Sequence, residues 1–215
     1  MTLSGEHEML LKRWLSLGQR LSLRGDVAGA GRDLLARYSE PHRRYHNCDH
    51  LADCLKVFDL HGSEADDPMA VEAALWFHDV VYRIGAADNE SRSADLARTT
   101  LGSLGLRQAR LEFVSEAIVA TMHRTVPEPG DVSLVCDIDL SVLGSRGKRY
   151  RSYADAILAE SGMTLEVFRP LRLRFLETML TRHRIFHTAG FRELEKLARC
   201  NMSRERAELT KHGRK

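Results

Sequence analysis

The chain of 215 residues is 43% hydrophobic, and 32 Lys and Arg against 30 Asp and Glu give a formal net charge of +2. This length allows one well-packed domain, and a charge so near zero argues against nucleic acid or an anionic membrane as the partner. No run is apolar enough to span a bilayer, and the N-terminus lacks the order of a signal peptide. We therefore expect a cytoplasmic protein.

Segments with a helical period fill nearly the whole chain, and no run alternates with the period of a strand. We therefore predict an all-α, single-domain fold over residues 1–215. Glycines and prolines mark the loops between the elements. In chain order, the predicted helices cover residues 9–23, 27–38, 48–60, 70–82, 90–104, 107–124, 132–143, 150–160, 165–182 and 191–209.

The first unusual polar cluster is PHRRYHNCDH, residues 41–50. Asn47 is a favourable N-cap, which would place His50 in the first turn of the next helix, near the edge of its apolar face. A single histidine there is usually a packing residue. Arg43 and Arg44 are more often solvated charges, although the guanidinium group also suits phosphate oxygens.

Residues 70–82, AVEAALWFHDVVY, are apolar nearly all round, which predicts a helix buried in the core. This segment carries His78 and Asp79 side by side. A buried carboxylate must be paired, hydrogen-bonded or bound to a metal. One divalent cation could accept an imidazole nitrogen and a carboxylate oxygen from this pair, although a buried His–Asp hydrogen bond explains the dipeptide alone better.

Two further polar positions lie at predicted helix ends. Glu90 is either an acid favoured by the helix dipole or a carboxylate that acts on water or on a ligand. His123 lies near the C-terminal end of the predicted helix 107–124, where the dipole favours a cation, and with Arg124 it could also contact an anion.

The segment VSLVCDIDLSVLG contains two aspartates in different surroundings. Asp139 shares its helical face with apolar residues such as Val135 and Val142, whereas Asp137 lies on a mixed face that could reach solvent. Asp139 is therefore the second carboxylate predicted to point into the core. Two buried acids and a buried histidine on separate helices are explained more easily by one metal site than by packing.

The order His50, His78-Asp79, Asp139 resembles the H…HD…D order of the HD superfamily of metal-dependent phosphohydrolases. RRYHNCDHL, ALWFHDVVY, DNESRSA, DIDLSVLG and MLTRHRIFHTAGF extend the resemblance to a bacterial branch of predicted phosphohydrolases whose substrates are undefined. The resemblance implies an HD-type helical bundle with its core at about residues 34–209 and the N-terminal helix packed on it. It also implies one divalent metal (Mn, Co, Zn, Mg or Fe) held by His50, His78, Asp79 and Asp139.

Such an ion would activate a water molecule and polarise a phosphoryl group, so we expect hydrolysis of a small phosphate ester, a nucleotide in the first instance. Asp79 would orient the attacking water, and Glu90 is a candidate general acid or base. The candidates for neutralising phosphate charge are Arg43, Arg44, His123 and Arg124. The expected partner is a small phosphorylated substrate, without nucleic acid or membrane, and a homodimer is possible.

Two other functions remain open. An HD-type di-iron oxygenase needs additional histidines, which His46 and His123 could supply, although DNESRSA lacks the second histidine expected there. A metal-stabilised binding module without turnover is suggested only by Arg83, where the resemblance leads us to expect an acid. At the C-terminus, residues 191–215 hold eight Lys or Arg against four Glu, and we interpret residues 210–215 as a frayed basic tail.

Overall fold

A computed structural model describes residues 5–211. Within that range the chain forms ten α-helices and no β-strand, which confirms the predicted all-α class. No described helix combines the length and the apolarity needed to cross a membrane. The helices are α1 Gly5–Arg20, α2 Val27–Tyr38, α3 Cys48–His61, α4 Pro68–Phe77, α5 Asn89–Ser103, α6 Gln108–Ala120, α7 Asp131–Leu140, α8 Gly147–Ser161, α9 Leu165–Thr181 and α10 Leu194–Lys211.

Helix α4 is the central element of the core. All of its residues from Ala70 to Phe77 are buried, in agreement with the apolar pattern of this segment. Helix α1 packs on it through Trp14, whose ring centroid lies 5.4 Å from that of Trp76 and 5.9 Å from that of Phe77. Helices α3, α5, α6 and α7 also contact α4. Residues that follow α4 are therefore delivered into the middle of the bundle.

One charged side chain, Glu72, lies inside this apolar helix. Its carboxylate accepts a hydrogen bond of 2.8 Å from Arg13 Nε and another from the Arg20 guanidinium, both on α1. Arg13 is itself held by two bonds to Asp59 on α3. The buried carboxylate is paired with two arginines, as a charge in a core requires, and the pairing connects α1 to α4.

Helix α4 is shorter than predicted. It ends at Phe77, so His78 and Asp79 lie in the turn that follows and not within the helix. The Asp79 N–H donates to the Tyr38 hydroxyl at 3.3 Å, and the Val81 N–H donates to Ser93 Oγ at 3.0 Å. Side chains of α2 and α5 thus replace the helical acceptors, which allows the backbone to leave the helix at this point.

Other helix ends also differ from the prediction. Helix α6 ends at Ala120, so His123 lies beyond it, in a left-handed backbone conformation with φ of +52°. Helix α7 ends at Leu140 and continues as one 3-10 turn, Ser141–Gly144. At the C-terminus α10 extends to Lys211, so the first two residues of the predicted frayed tail are helical, and residues 212–215 lie outside the described residues.

The Glu72 interaction gives a test of the core. We expect Glu72→Gln to lower the free energy of unfolding by about 1–3 kcal/mol, because it removes a buried charge that two arginines neutralise. Urea denaturation monitored by circular dichroism measures this change. Glu116→Gln, at an exposed position on α6, is the matched control and should alter stability by less than about 0.5 kcal/mol. Equal stability of the two variants would contradict the assigned role.

Candidate metal centre

Four side chains from three parts of the chain meet in one cluster. One ligand atom each from His50, Cys54, His78 and Asp139 lies within 4.8 Å of all the others. His50 Nε2 is 3.1 Å from His78 Nε2, and Asp139 Oδ1 is 3.3 Å from the first and 3.7 Å from the second. Neighbouring ligand atoms bound to one ion at about 2.1 Å lie roughly 3.0–3.4 Å apart. Three of these four side chains were predicted ligands, and their spacing suits a metal ion.

Asp79, the fourth predicted ligand, borders the same cluster. Its Oδ2 lies 3.1 Å from His78 Nε2 and 3.3 Å from His50 Nε2. The structure therefore brings all four predicted ligands together, and the expectation of a site that could hold a metal ion is confirmed in this general form. The identity of the ion and the part that Asp79 takes in binding it remain predictions.

Cys54 is the member of the cluster that sequence analysis missed. It is buried as a free thiol, and its Sγ lies 3.7 Å from His50 Nε2. It was not among the predicted ligands. The available signal was its spacing, because a residue four positions after His50 lies on the same face of a helix.

The orientation of the His78 ring suits a metal ligand. Its Nδ1–H donates to the Leu75 carbonyl at 2.8 Å, inside the last turn of α4. In the neutral ring this bond leaves a lone pair on Nε2, the atom that faces His50 and the two carboxylates. Metal-binding histidines commonly have such a partner on the second nitrogen, which fixes the tautomer and the ring orientation.

The electrostatics of the cluster favour a bound cation. Burial opposes the ionised form of Asp139, but hydrogen bonds from His123, His50 and His78 outweigh it and hold its pKa well below the ordinary value. Burial likewise opposes ionisation of Asp79, and the neighbouring His78 leads the interactions that hold its pKa low. Two ionised carboxylates in a largely enclosed site attract positive charge, and a divalent ion could provide it in place of protons on the imidazoles.

The N-cap of α3 positions His50. The predicted N-cap is confirmed, because Asn47 Oδ1 accepts the N–H groups of Asp49 at 3.0 Å and His50 at 3.2 Å. This cap starts α3 so that the His50 ring points into the bundle.

Arg43 was predicted to contact phosphate, and the structure shows it with other partners. Its guanidinium is fully buried and donates to the carbonyls of His46 at 2.8 Å, Asp79 at 2.7 Å and Val80 at 3.0 Å, and to the Glu40 carboxylate at 3.0 Å. These acceptors occupy the guanidinium. Arg43 therefore connects the loop before α3 to the turn that carries His78 and Asp79.

Glu160, at the end of α8, fixes that same loop from the other side. Its Oε2 accepts the backbone N–H groups of Arg44 at 2.8 Å, Tyr45 at 2.9 Å and His46 at 3.0 Å, and its Oε1 contacts His46 Nδ1. Burial opposes ionisation, but His46 and these N–H groups lower the pKa of Glu160 to about 2. The carboxylate therefore stays ionised and keeps the loop in place at the edge of the metal cluster.

The expected exposure of Asp137 is wrong. Its side chain is fully buried and accepts the N–H groups of His187 at 2.9 Å and Thr188 at 2.6 Å, and the Thr188 hydroxyl at 2.7 Å. Burial raises its pKa, although these hydrogen bonds oppose the rise. Asp137 thus anchors the segment before α10, while Asp139 faces the metal cluster and accepts a bond of 2.7 Å from His123 Nε2.

A cavity of about 350 Å³ opens beside this group of candidate metal ligands. Among the predicted site residues, Asp79, Glu90, His123 and Asp139 line it. Burial, together with the charges of Asp79 and Asp139, raises the pKa of Glu90 above its ordinary value. Glu90 is therefore suited to hold a proton beside the two ionised carboxylates.

Arg44 and Arg124, which were also predicted to contact phosphate, do not line this cavity. Arg44 is exposed and lies on another surface groove, beside Asp53 and Arg149. Arg124 is exposed and donates to the Ala87 carbonyl at 3.2 Å. The early end of α6 and the left-handed turn at His123 explain why the adjacent Arg124 leaves the site. Of the four predicted phosphate contacts, only His123 lies on the cavity.

Comparison of the chain with known protein families, curated proteins and solved structures finds no match. The chemistry of the cluster and of its cavity is what supports a function for this protein.

The two aspartates of α7 give a matched pair for testing the site. We expect Asp139→Asn to weaken metal binding at least tenfold, because it removes an ionised oxygen from the cluster. Asp137→Asn should leave metal affinity unchanged and lower the free energy of unfolding by about 1–3 kcal/mol, because it weakens buried hydrogen bonds. Competition with a chelator and thermal unfolding measure the two effects, and the reverse ranking of affinities would show that the ligand is wrongly assigned.

Cobalt(II) substitution tests Cys54. A thiolate bound to cobalt gives a charge-transfer band in the near ultraviolet, so the band should appear in the wild type and be absent from Cys54→Ser, which should still bind cobalt more weakly. Cys48→Ser changes another buried thiol of α3 that lies outside the cluster and should keep the band. A persistent band in Cys54→Ser would exclude Cys54 as a ligand.

Proposed function

We propose that this protein is a metal-dependent phosphohydrolase of the HD type that hydrolyses small phosphate monoesters, mononucleotides among the candidates. The observation that supports the proposal is the convergence of His50, His78, Asp79 and Asp139 beside one cavity. The residues occur in the H…HD…D order of that superfamily. Two imidazoles and two carboxylates, with Cys54 as a further donor of the cluster, offset the charge of a divalent ion and leave coordination positions for water and a phosphate oxygen.

A bound divalent ion would supply two functions here, a lowered pKa for its water and polarisation of the phosphoryl group. Asp79 has a pKa well below the ordinary value, so it is a weak base and serves as a hydrogen-bond acceptor that orients the attacking water. Glu90 has a raised pKa and can give a proton to the oxygen that leaves phosphorus. His123 is held at the cavity wall by Asp139, where its ring can stabilise charge on the transferred phosphate.

The di-iron oxygenase has less support than the phosphohydrolase. In the described part of the chain the candidate cluster contains neither His46 nor His123. His46 Nδ1 contacts Glu160, and His123 Nε2 donates to Asp139. A second iron would have to bind the other ring nitrogen of each histidine, outside the cluster that the described residues form. The binding module without turnover rests on Arg83, which is exposed, lies 3.3 Å from Asp88 and does not line the cavity.

The proposal is tested by phosphate release from metal-loaded protein. We expect hydrolysis to require added Mn, Co, Zn, Mg or Fe. His123→Ala should lower kcat about 10- to 1000-fold with bound metal unchanged, because it removes charge stabilisation without removing a proposed ligand. His183→Ala, an exposed histidine, is the matched control.

A variant can lose activity because it loses the metal or because it loses charge stabilisation. Metal content measured by mass spectrometry separates these two causes, because Asp79→Ala should lose both metal and turnover. Loss of metal from His123→Ala would place that residue among the ligands. Protein that takes up none of these ions in titration would overturn the proposal.

A further inference from the structure

The cavity beside the metal cluster has two ends of different character. The inner end carries the ionisable groups described above. The outer end, between α8 and α9, is lined by the apolar side chains of Ile157, Met163, Phe168, Leu171 and Phe175. A substrate whose phosphate binds at the metal therefore extends its leaving group along an apolar wall.

The polar side chains at this outer end already have hydrogen-bond partners within the protein. Arg172 donates from Nη1 to the Tyr153 hydroxyl at 3.0 Å and makes bonds of 2.8 and 3.1 Å to the Glu205 carboxylate. Ser161 Oγ donates to the Leu158 carbonyl at 2.6 Å. A sugar with several hydroxyl groups would lose its bonds to water here and find few partners in exchange, which is costly.

The charge in the cavity suits one phosphate group. The groups that could meet phosphate oxygens are the proposed ion and His123, since backbone carbonyls occupy Arg43, Glu205 neutralises Arg172 and Glu160 is paired with His46. Neither Arg44 nor Arg124 reaches the cavity. A second or third phosphate would place additional negative charge against the apolar wall without a partner.

Apolar side chains also border the mouth of the cavity. Ile84, in the loop before α5, is 42% exposed, and Leu171 on α9 is 52% exposed, and both line the cavity. Large apolar side chains exposed beside a polar reaction centre are typical of a ligand-binding groove. A bound apolar group would cover both of them.

We propose that the preferred substrate is the monophosphate of an apolar alcohol, with an alkyl or arylalkyl leaving group. This inference rests on the proposed phosphohydrolase function. One water is consumed: its oxygen bonds to phosphorus, the ester P–O bond breaks with its electron pair on the leaving oxygen, and that oxygen takes up a proton. The products are inorganic phosphate and the free alcohol.

A series of alkyl phosphates tests the proposal, because their leaving oxygens differ little in basicity. We compare ethyl, hexyl and benzyl phosphate with glycerol 1-phosphate, glucose 6-phosphate, AMP and ADP on the metal-loaded full chain. The kcat/KM for hexyl and benzyl phosphate should exceed that for glycerol 1-phosphate and AMP at least roughly tenfold. Equal or higher values for the polar esters would overturn the inference and leave the phosphohydrolase function intact.

Leu171→Ser tests the apolar wall directly. It should lower kcat/KM for hexyl phosphate about three- to tenfold, mainly through KM, and lower it less for ethyl phosphate, because the longer chain makes more contact with α9. Val167→Ser is the matched control, since Val167 is 56% exposed on the same helix and does not line the cavity. Equal effects of Leu171→Ser on ethyl and hexyl phosphate would contradict the proposed binding mode.

A binding measurement that needs no hydrolysis tests the apolar preference separately from the proposed phosphohydrolase function. If metal-loaded protein releases phosphate from no ester, the phosphohydrolase function fails. Calorimetry with hexylphosphonate and ethylphosphonate then decides the apolar preference by itself. Tighter binding of hexylphosphonate, lost in Leu171→Ser, supports the outer end as a site for an apolar group, and equal affinities overturn it.

Discussion

The arrangement of the candidate metal ligands depends on the buried guanidinium of Arg43. Its bonds to the carbonyls of Asp79 and Val80, at 2.7 and 3.0 Å, hold the turn that follows α4, and its bond of 2.8 Å to the His46 carbonyl holds the loop before α3. A helix that continued past Phe77 would point these carbonyls along its own axis. By donating hydrogen bonds to these carbonyls from the side, Arg43 allows consecutive residues of the turn to face the cluster together.

Four buried or partly buried acids show how this bundle accommodates negative charge. Two arginines neutralise Glu72, whereas Asp137 accepts hydrogen bonds from two backbone N–H groups and a hydroxyl. Both arrangements are closed, because the partners leave no room for another ligand. Asp79 and Asp139 instead face imidazoles that also face each other and border a cavity. The same residue type is structural in one place and part of the candidate metal site in the other because its surroundings differ.

The sequence predicted the features that local residue patterns determine. It could not predict the features that depend on groups far away in the chain. Helical periodicity gave the all-α class, and the side chain of Asn47 gave the start of α3. The end of α4 was missed because the groups that replace its helical bonds come from α2, α5 and Arg43. The burial of Asp137 was missed because its partners are backbone groups 50 and 51 positions later, which face periodicity does not encode.

The contact between Glu160 and residues 44–46 has a consequence for folding. It joins segments that are 114 to 116 positions apart, so the loop beside the cluster receives this support only after α8 has formed and docked. Closing so long a loop carries an entropic cost that local helices do not pay. On the ribosome, the segments that carry His50, His78 and Asp139 all emerge before Glu160. The nascent chain therefore passes through a stage in which the candidate metal ligands are present but one wall of their site is still unfixed.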